Sequence, residues 1–196
     1  SSETMADDSN QFAAENAHFD FVLIVEGKKL HVSKEFLSIH SPVFAEMFQY
    51  DFSGKKEGEL DDVVYKLFVD LLDVIYPRWV AITASSVEHI LRYAAKFQMK
   101  DALEQSEHFL IKTKKVDVEQ KLNLGDQYGL KKLVDHCFNS FSCINDITSL
   151  RFHPVYNDLS QRVKVRMADR IMELLETPSG NHACVCRTTN SNRSYH

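Results

Sequence analysis

The side chains with the most chemical reach in this sequence are a few thiols and imidazoles. His136 stands directly before Cys137, and a thiolate activated by a neighbouring imidazole is one way to build a nucleophile. On a helix, however, adjacent residues project in different directions, and only those three or four apart face one another. Cys137 then shares its face with Leu133, Val134 and Phe141, which describes a packing residue. His182, Cys184 and Cys186 put potential soft ligands within five residues. A structural zinc site needs four ligands, usually in paired cysteine spacing on a chain that can fold round the ion. The six glycines are scattered and form no phosphate-cradling loop. No nucleophile, base and orienting group come together. The expectation is a protein that is not an enzyme, with no catalytic residue, no metal and no cofactor.

Composition narrows the partners. Hydrophobic residues make up 44% and charged ones 26% of the 196 residues, enough for a real core. A net charge of −5 and a pI near 6.0 supply no basic field for a phosphate backbone, so no nucleic acid is expected as a ligand. Glu3, Asp7, Asp8 and Glu15 open the chain without a basic or apolar signal segment. The longest apolar run, residues 21–25, falls far short of a membrane span. A soluble cytoplasmic or nuclear protein with no membrane contact is expected. Cys137, Cys143, Cys184 and Cys186 should then be thiols, without a structural bridge.

Residues 19–25 read as a strand with two apolar faces, covered on both sides. Glu26-Gly27-Lys28 turns the chain into a second strand over 29–32, where His31 points away from Leu30 and Val32 and reads as a structural histidine. Ser33, then Ser41-Pro42, open two short helices. Loop 51–58 precedes a short strand near Glu59-Leu60. Val64, Leu67, Phe68, Leu71, Leu72 and Ile75 repeat at helical period until Pro77, and Trp79 beyond it suits a core edge or an interface. Ser85 with Glu88 reads as a capping box for a helix that buries Val87, Ile90, Leu91 and Ala94. Another helix covers 101–112. After a polar link at 113–116, Asp117 with Gln120 caps a helix that Gly129 stops, and residues 130–141 complete an αα-hairpin. A short helix over 145–154 ends at a proline. A last one sets Leu159, Val163, Met167, Ile171 and Leu174 along one face. Residues 177–196 are polar and expected to be disordered.

Phe19-Asp20 ahead of the first strand, the Gly27 hairpin, His31-Val32 leading to Lys34 and Leu37, and Ser41-Pro42-Val43-Phe44 with Met47-Phe48 resemble, in order and spacing, the opening half of a BTB/POZ domain. Val74-Ile75-Tyr76 and Tyr93-Ala94-Ala95-Lys96-Phe97 resemble its later helices, and Asp126-Gln127-Tyr128-Gly129-Leu130 resembles the BACK-type extension that often follows. The resemblance implies an α+β BTB/POZ fold, a small β-sheet flanked by helices, followed by a short all-α helical extension. The expected division is a flexible segment at 1–16, the BTB/POZ domain at 17–114, the BACK-like helices at 115–176 and the tail at 177–196.

The same resemblance implies sites and partners. A homodimer would form around Phe12, Phe19, Phe21 and Leu23 and the first helix. Asp20 and Lys34 match the two charged positions that line a groove in BTB repressor dimers; alternatively Asp20 orders the strand start and Lys34 is solvated. A possible cullin-3 dock would use Phe48, Tyr50 and Phe52. The ligase adaptors place a hydrophobe two positions before a Glu in that loop; here Phe52 is present, as an exposed anchor or as a ring folded back over the core, but Gly54 stands in the Glu position. No MATH domain or Kelch repeats are visible, too few cysteines exist for a zinc-finger array, and the client protein is unknown. The implied function is an adaptor that self-associates and docks a cullin-3 ubiquitin ligase scaffold. The alternative is an oligomerising scaffold or corepressor-type interaction module without ubiquitin chemistry.

Overall fold

The computed structural model describes residues 10–76 and 81–176. Pro77, Trp79, His182, Cys184, Cys186 and the whole tail expected to be disordered lie outside the described residues. Strands β1 (Phe21–Val25) and β2 (Lys28–Val32) form the expected hairpin. Glu26 and Gly27 both adopt positive φ, 50° and 72°, the geometry whose twist matches the two strands. Strand β3 (Glu57–Glu59) lies parallel to β1 on its other side, giving the order β2-β1-β3. It begins two residues before the expected place. Phe21, Leu23 and Val25 are buried, but Val22 and Ile24 are only half-buried. The strand therefore has one covered face, not two.

The segment expected to be flexible is tied down from Asn10 onward. Phe12 is fully buried, its carbonyl accepts the His31 N–H at 2.7 Å, and the Asn10 amide donates to the Tyr65 hydroxyl at 2.8 Å. The globular unit starts at residue 10 at the latest.

Helices α1 (Lys34–His40) and α2 (Pro42–Gln49) are opened by Ser33 and Ser41, whose side chains accept the N–H groups of Phe36 and Phe44. Ser41 is completely buried and its hydroxyl also donates to the Phe97 carbonyl at 2.6 Å, so one side chain caps α2 and fixes a segment 56 residues away. Helices α3 (Tyr65–Ile75), α4 (Val87–Lys96) and α5 (Lys100–Lys112) close over the sheet. The cap before α4 is not Ser85. Thr83 and Ser86 exchange hydrogen bonds, each side-chain oxygen accepting the other's N–H at 3.1 and 2.9 Å, a reciprocal box placed two residues earlier.

Beyond α5 come α6 (Val118–Gln127) and α7 (Lys131–Ser140). Asp117 accepts the Gln120 N–H at 2.7 Å, and Gly129, at φ 69°, stops α6 as expected. Residues 145–154 are not one helix: α8 (Ile144–Ser149), a 3₁₀ turn (Leu150–Phe152) and α9 (Val155–Asp158) follow one another, and Pro154 opens α9 rather than ending a helix. Helix α10 (Gln161–Glu176) packs on α7 and α8. Cys143 is disulfide-bonded, which corrects the expectation of thiols throughout.

Two hydrophobic cores result. One surrounds the sheet and α1 to α3; the other lies among α6 to α10. They meet along α4, which turns Ile90, Tyr93 and Ala94 to the first and Val87 and Leu91 to the second. The seam in packing thus runs through α4 and α5, ahead of the polar link at 113–116.

Candidate functional site

The loop after α2 is held by the Phe52 N–H, which donates to the Met47 carbonyl at 2.8 Å. This turns the Phe52 ring inward, 5.4 Å from the Phe21 ring and 6.1 Å from Phe48, and leaves it 6% exposed. A Cβ at Gly58 would come well inside van der Waals contact with that ring, so the glycine in β3 leaves the room in which Phe52 lies. Phe52 is therefore core and cannot serve as an exposed anchor. Phe48 is half-buried between Phe21 and Phe44. Tyr50 alone of the three stands clear, 66% exposed at the end of α2. Gly54 sits at φ 71°, where a glutamate would be strained.

Asp20 and Lys34 come together, but through the backbone. The Asp20 carboxylate accepts the Lys34 N–H at 2.8 Å, while the Lys34 ammonium donates to the Lys55 carbonyl at 3.3 Å and lies 4.8 Å from the centre of the Phe21 ring. Both side chains are engaged in ordering the start of β1 and α1. A cleft of about 510 Å³ opens beside Asp20, lined also by Phe19, Val22, His31 and Lys56.

Phe12, Phe21 and Leu23 are at most 2% exposed within the single chain, so their side chains offer no surface to a second copy. Phe19 is half-buried against Phe12 and Tyr76, with ring centres 6.0 and 5.9 Å apart. Phe36 packs on the other side of Tyr76 at 4.2 Å, and Ile39 on α1 is 73% exposed. Reading the sequence for apolar runs passed over Phe36 and Ile39, because both lie in α1, about two turns long and too short to show a sustained period. The burial of Tyr76 pushes its hydroxyl up to about 12, against the lowering effect of the Ser33 N–H it accepts.

Cys137 is buried, and that burial pushes its thiol up to about 11, away from the thiolate that chemistry requires. Among the described residues there is no group of three or more metal-ligating side chains, and no helix is long and apolar enough to cross a membrane. The described surface carries two strongly exposed rings, Tyr50 and Phe152, an exposed isoleucine, Ile39, and open clefts.

The BTB/POZ domain model matches residues 9–114. The chain is 35% identical over 159 residues to "BTB and MATH domain-containing protein 36" of Caenorhabditis elegans, covering 80% of this chain and 50% of that protein. It is 32% identical over 158 residues to "BTB and MATH domain-containing protein 38" of the same organism, covering 80% of this chain and 41% of that one. Among solved structures, the BTB domain of human gigaxonin aligns with 56% of this chain and 99% of its own at 19% identity and a TM-score of 0.43. The chain spans about half the length of the curated relatives it matches. With its three-stranded sheet, its flanking helices and a family match over more than half its length, this chain belongs to the BTB/POZ domain family, a protein-interaction module.

Proposed function

We propose that this chain is an adaptor that pairs with a second copy through its BTB domain and docks the cullin-3 scaffold of a ubiquitin ligase, with the BACK-like helices enlarging the dock. The observation that carries this reading is Tyr50, an aromatic 66% exposed at the C-terminal end of α2, where the chain enters the loop that Phe52 anchors in the core. Fixed, exposed rings are the commonest interface anchors, since little side-chain entropy is lost when they dock. Homodimerisation falls to Phe19 together with Phe36 and Ile39 on α1; Asp20 and Lys34 shape the neighbouring groove.

The left-handed backbone at Gly54 favours a second reading. It removes the glutamate position of the adaptor motif by conformation as well as by sequence, which suits an oligomerising scaffold or corepressor-type module without ubiquitin chemistry. Calorimetry with cullin-3 separates the two. Under the adaptor reading, binding is measurable at tens of micromolar and Tyr50→Ala weakens it by about 2 kcal/mol, roughly thirtyfold, while the melting temperature stays put. An absence of binding by the unmutated protein gives the scaffold reading the lead.

A further inference from the structure

The two cysteines of the extension differ in kind. Cys137 is a free, buried thiol in the second core, whereas Cys143, which opens α8, is disulfide-bonded. The sequence has four cysteines, so the other sulfur of that bond belongs to Cys184 or Cys186. Reach agrees with this. Arg170 donates through Nη2 to the Phe141 carbonyl at 3.1 Å, which sets the chain entering α8 beside the last turns of α10. Helix α10 ends at Glu176, roughly 9 Å of helix beyond Arg170. Residues 177–184 can extend over roughly 26 Å, more than the return requires.

We propose that this bond is a redox-operated staple, which fastens the C-terminal segment of the chain to the extension under oxidising conditions and frees it under reducing ones. Closed, it makes a covalent loop of about forty residues round α8, α9 and α10. These elements gain most from it. Helix α8 has six residues, with no side-chain hydrogen bond at its cap, and α9 has four, too few to persist as helices alone. A cross-link restricts the unfolded chain, and the longer the loop the larger the effect. The oxidant is a small disulfide such as oxidised glutathione. The Cys143 thiolate attacks one of its sulfurs, that S–S bond breaks and one small thiol leaves; the thiolate of Cys184 or Cys186 then attacks the Cys143 sulfur, forming the protein bond and expelling the second thiol. Two electrons pass from the cysteines to the oxidant, and the two protons the cysteines lose end on the released thiols. Cys137 takes no part, because it is walled off in the core. Cys184 and Cys186 stand one residue apart, so the one left free can attack the Cys143 sulfur and replace its neighbour without net oxidation. The staple is independent of the cullin reading.

Thiol titration of the full chain, equilibrated in oxidised or in reduced glutathione, quenched with acid and denatured, tests this. Two of the four cysteines should react after oxidation and all four after reduction, and peptide mapping without reductant should join Cys143 to Cys184 or Cys186. Reduction should lower the melting temperature by about 5–10 °C and quicken amide exchange in α8 to α10, with β1 and β2 unchanged. Cys143→Ser should melt where the reduced protein melts, in either buffer, and so should the chain carrying both Cys184→Ser and Cys186→Ser. The proposal is overturned if all four thiols react after oxidation, if mapping finds glutathione on Cys143 or a bond to Cys137 or to a second copy, or if the melting temperature of Cys143→Ser responds to glutathione as that of the unmutated chain does.

Discussion

Around the sheet, Phe12, Phe21, Phe44, Phe52, Phe68, Tyr76, Tyr93 and Phe97 pack ring against ring, whereas leucines and valines fill the space among α6 to α10 and Phe138 is the buried ring there. The polar anchors differ as well. In the first core a neutral hydroxyl, Ser41, joins α2 to the end of α4. In the second, ionisable side chains act as pegs: Glu107 accepts the Leu133 N–H at the start of α7, and Lys121 donates to the Thr113 carbonyl at the end of α5 at 2.6 Å. Asp126 receives both the N–H and the hydroxyl of Ser160 ahead of α10, and Arg166 and Arg170 tie α10 to α7 and to the Phe141 carbonyl. Rings bury large areas each, so a small sheet can be stabilised by them alone. Helices as short as α8 and α9 are marginal by themselves and depend on what they are pegged to. From this difference the BTB half is expected to hold its fold without the extension, while the extension leans on it through α4 and α5.

The sharpest way to break this comparison is to damage the half that supports the other. Phe44 is fully buried, stacked 4.7 Å from Phe97, and Phe44→Ala should lose about 3–5 kcal/mol. Hydrogen exchange should rise in α6, α7 and α10 as well as around the sheet. Protection that persisted in α7 while the sheet opened would show the extension to be an independent unit.

A smaller effect, confined to the extension, is expected from its pegs. Glu107 is 8% exposed and its carboxylate meets the positive end of α7. Glu107→Ala should cost about 1–3 kcal/mol through the orphaned Leu133 N–H, and Glu107→Gln, which keeps an acceptor, clearly less. Exchange should quicken in α7 and α10 but not in β1. Equal loss in both halves would refute the one-sided dependence.

What could be read from the residues alone follows the same division between local and distant causes. The Gly27 turn, the Ser41-Pro42 opening, the Asp117 cap and the Gly129 stop each rest on contacts within a few residues, and each was visible. The docking of Phe12 depends on His31 and Tyr76, that of Asn10 on Tyr65, and the burial of Phe52 on a missing Cβ at Gly58. The family resemblance offers Phe52 as an anchor, and its glycine-rich loop leaves open whether the ring stands out or folds back over the core; the strand that returns beside β1 shows it is covered. Of the expected dock, Tyr50 remains. Of the expected dimer set, Phe19 remains partly open, while Ile39 forms one i, i+3 pair with Phe36, too short a pattern to mark a face.

Alkali offers the finest separation of the two halves, with no effect near neutral pH. Cys137 in the second core is raised from 9.0 to about 11 by burial, and Tyr76 in the first from 10.0 to about 12, again mainly by burial. For each group the folded state holds its proton more tightly than the unfolded chain does, so its stabilising effect is complete below the unfolded value and is lost as pH rises through the folded one. Stability should therefore begin to fall near pH 9 and fall more steeply above 10. Cys137→Ala should flatten the decline between about 9 and 11, and Tyr76→Phe that between about 10 and 12. Near pH 8 Tyr76→Phe still loses the acceptor for the Ser33 N–H, about 0.5–1.5 kcal/mol, which sets its baseline. Denaturant midpoints measured at each pH decide the matter. If α4 couples the cores into one unit, both variants flatten a single transition; if Cys137→Ala alters one transition and Tyr76→Phe another, the halves unfold separately. Slopes unchanged in both variants would mean that neither proton is held by the folded structure.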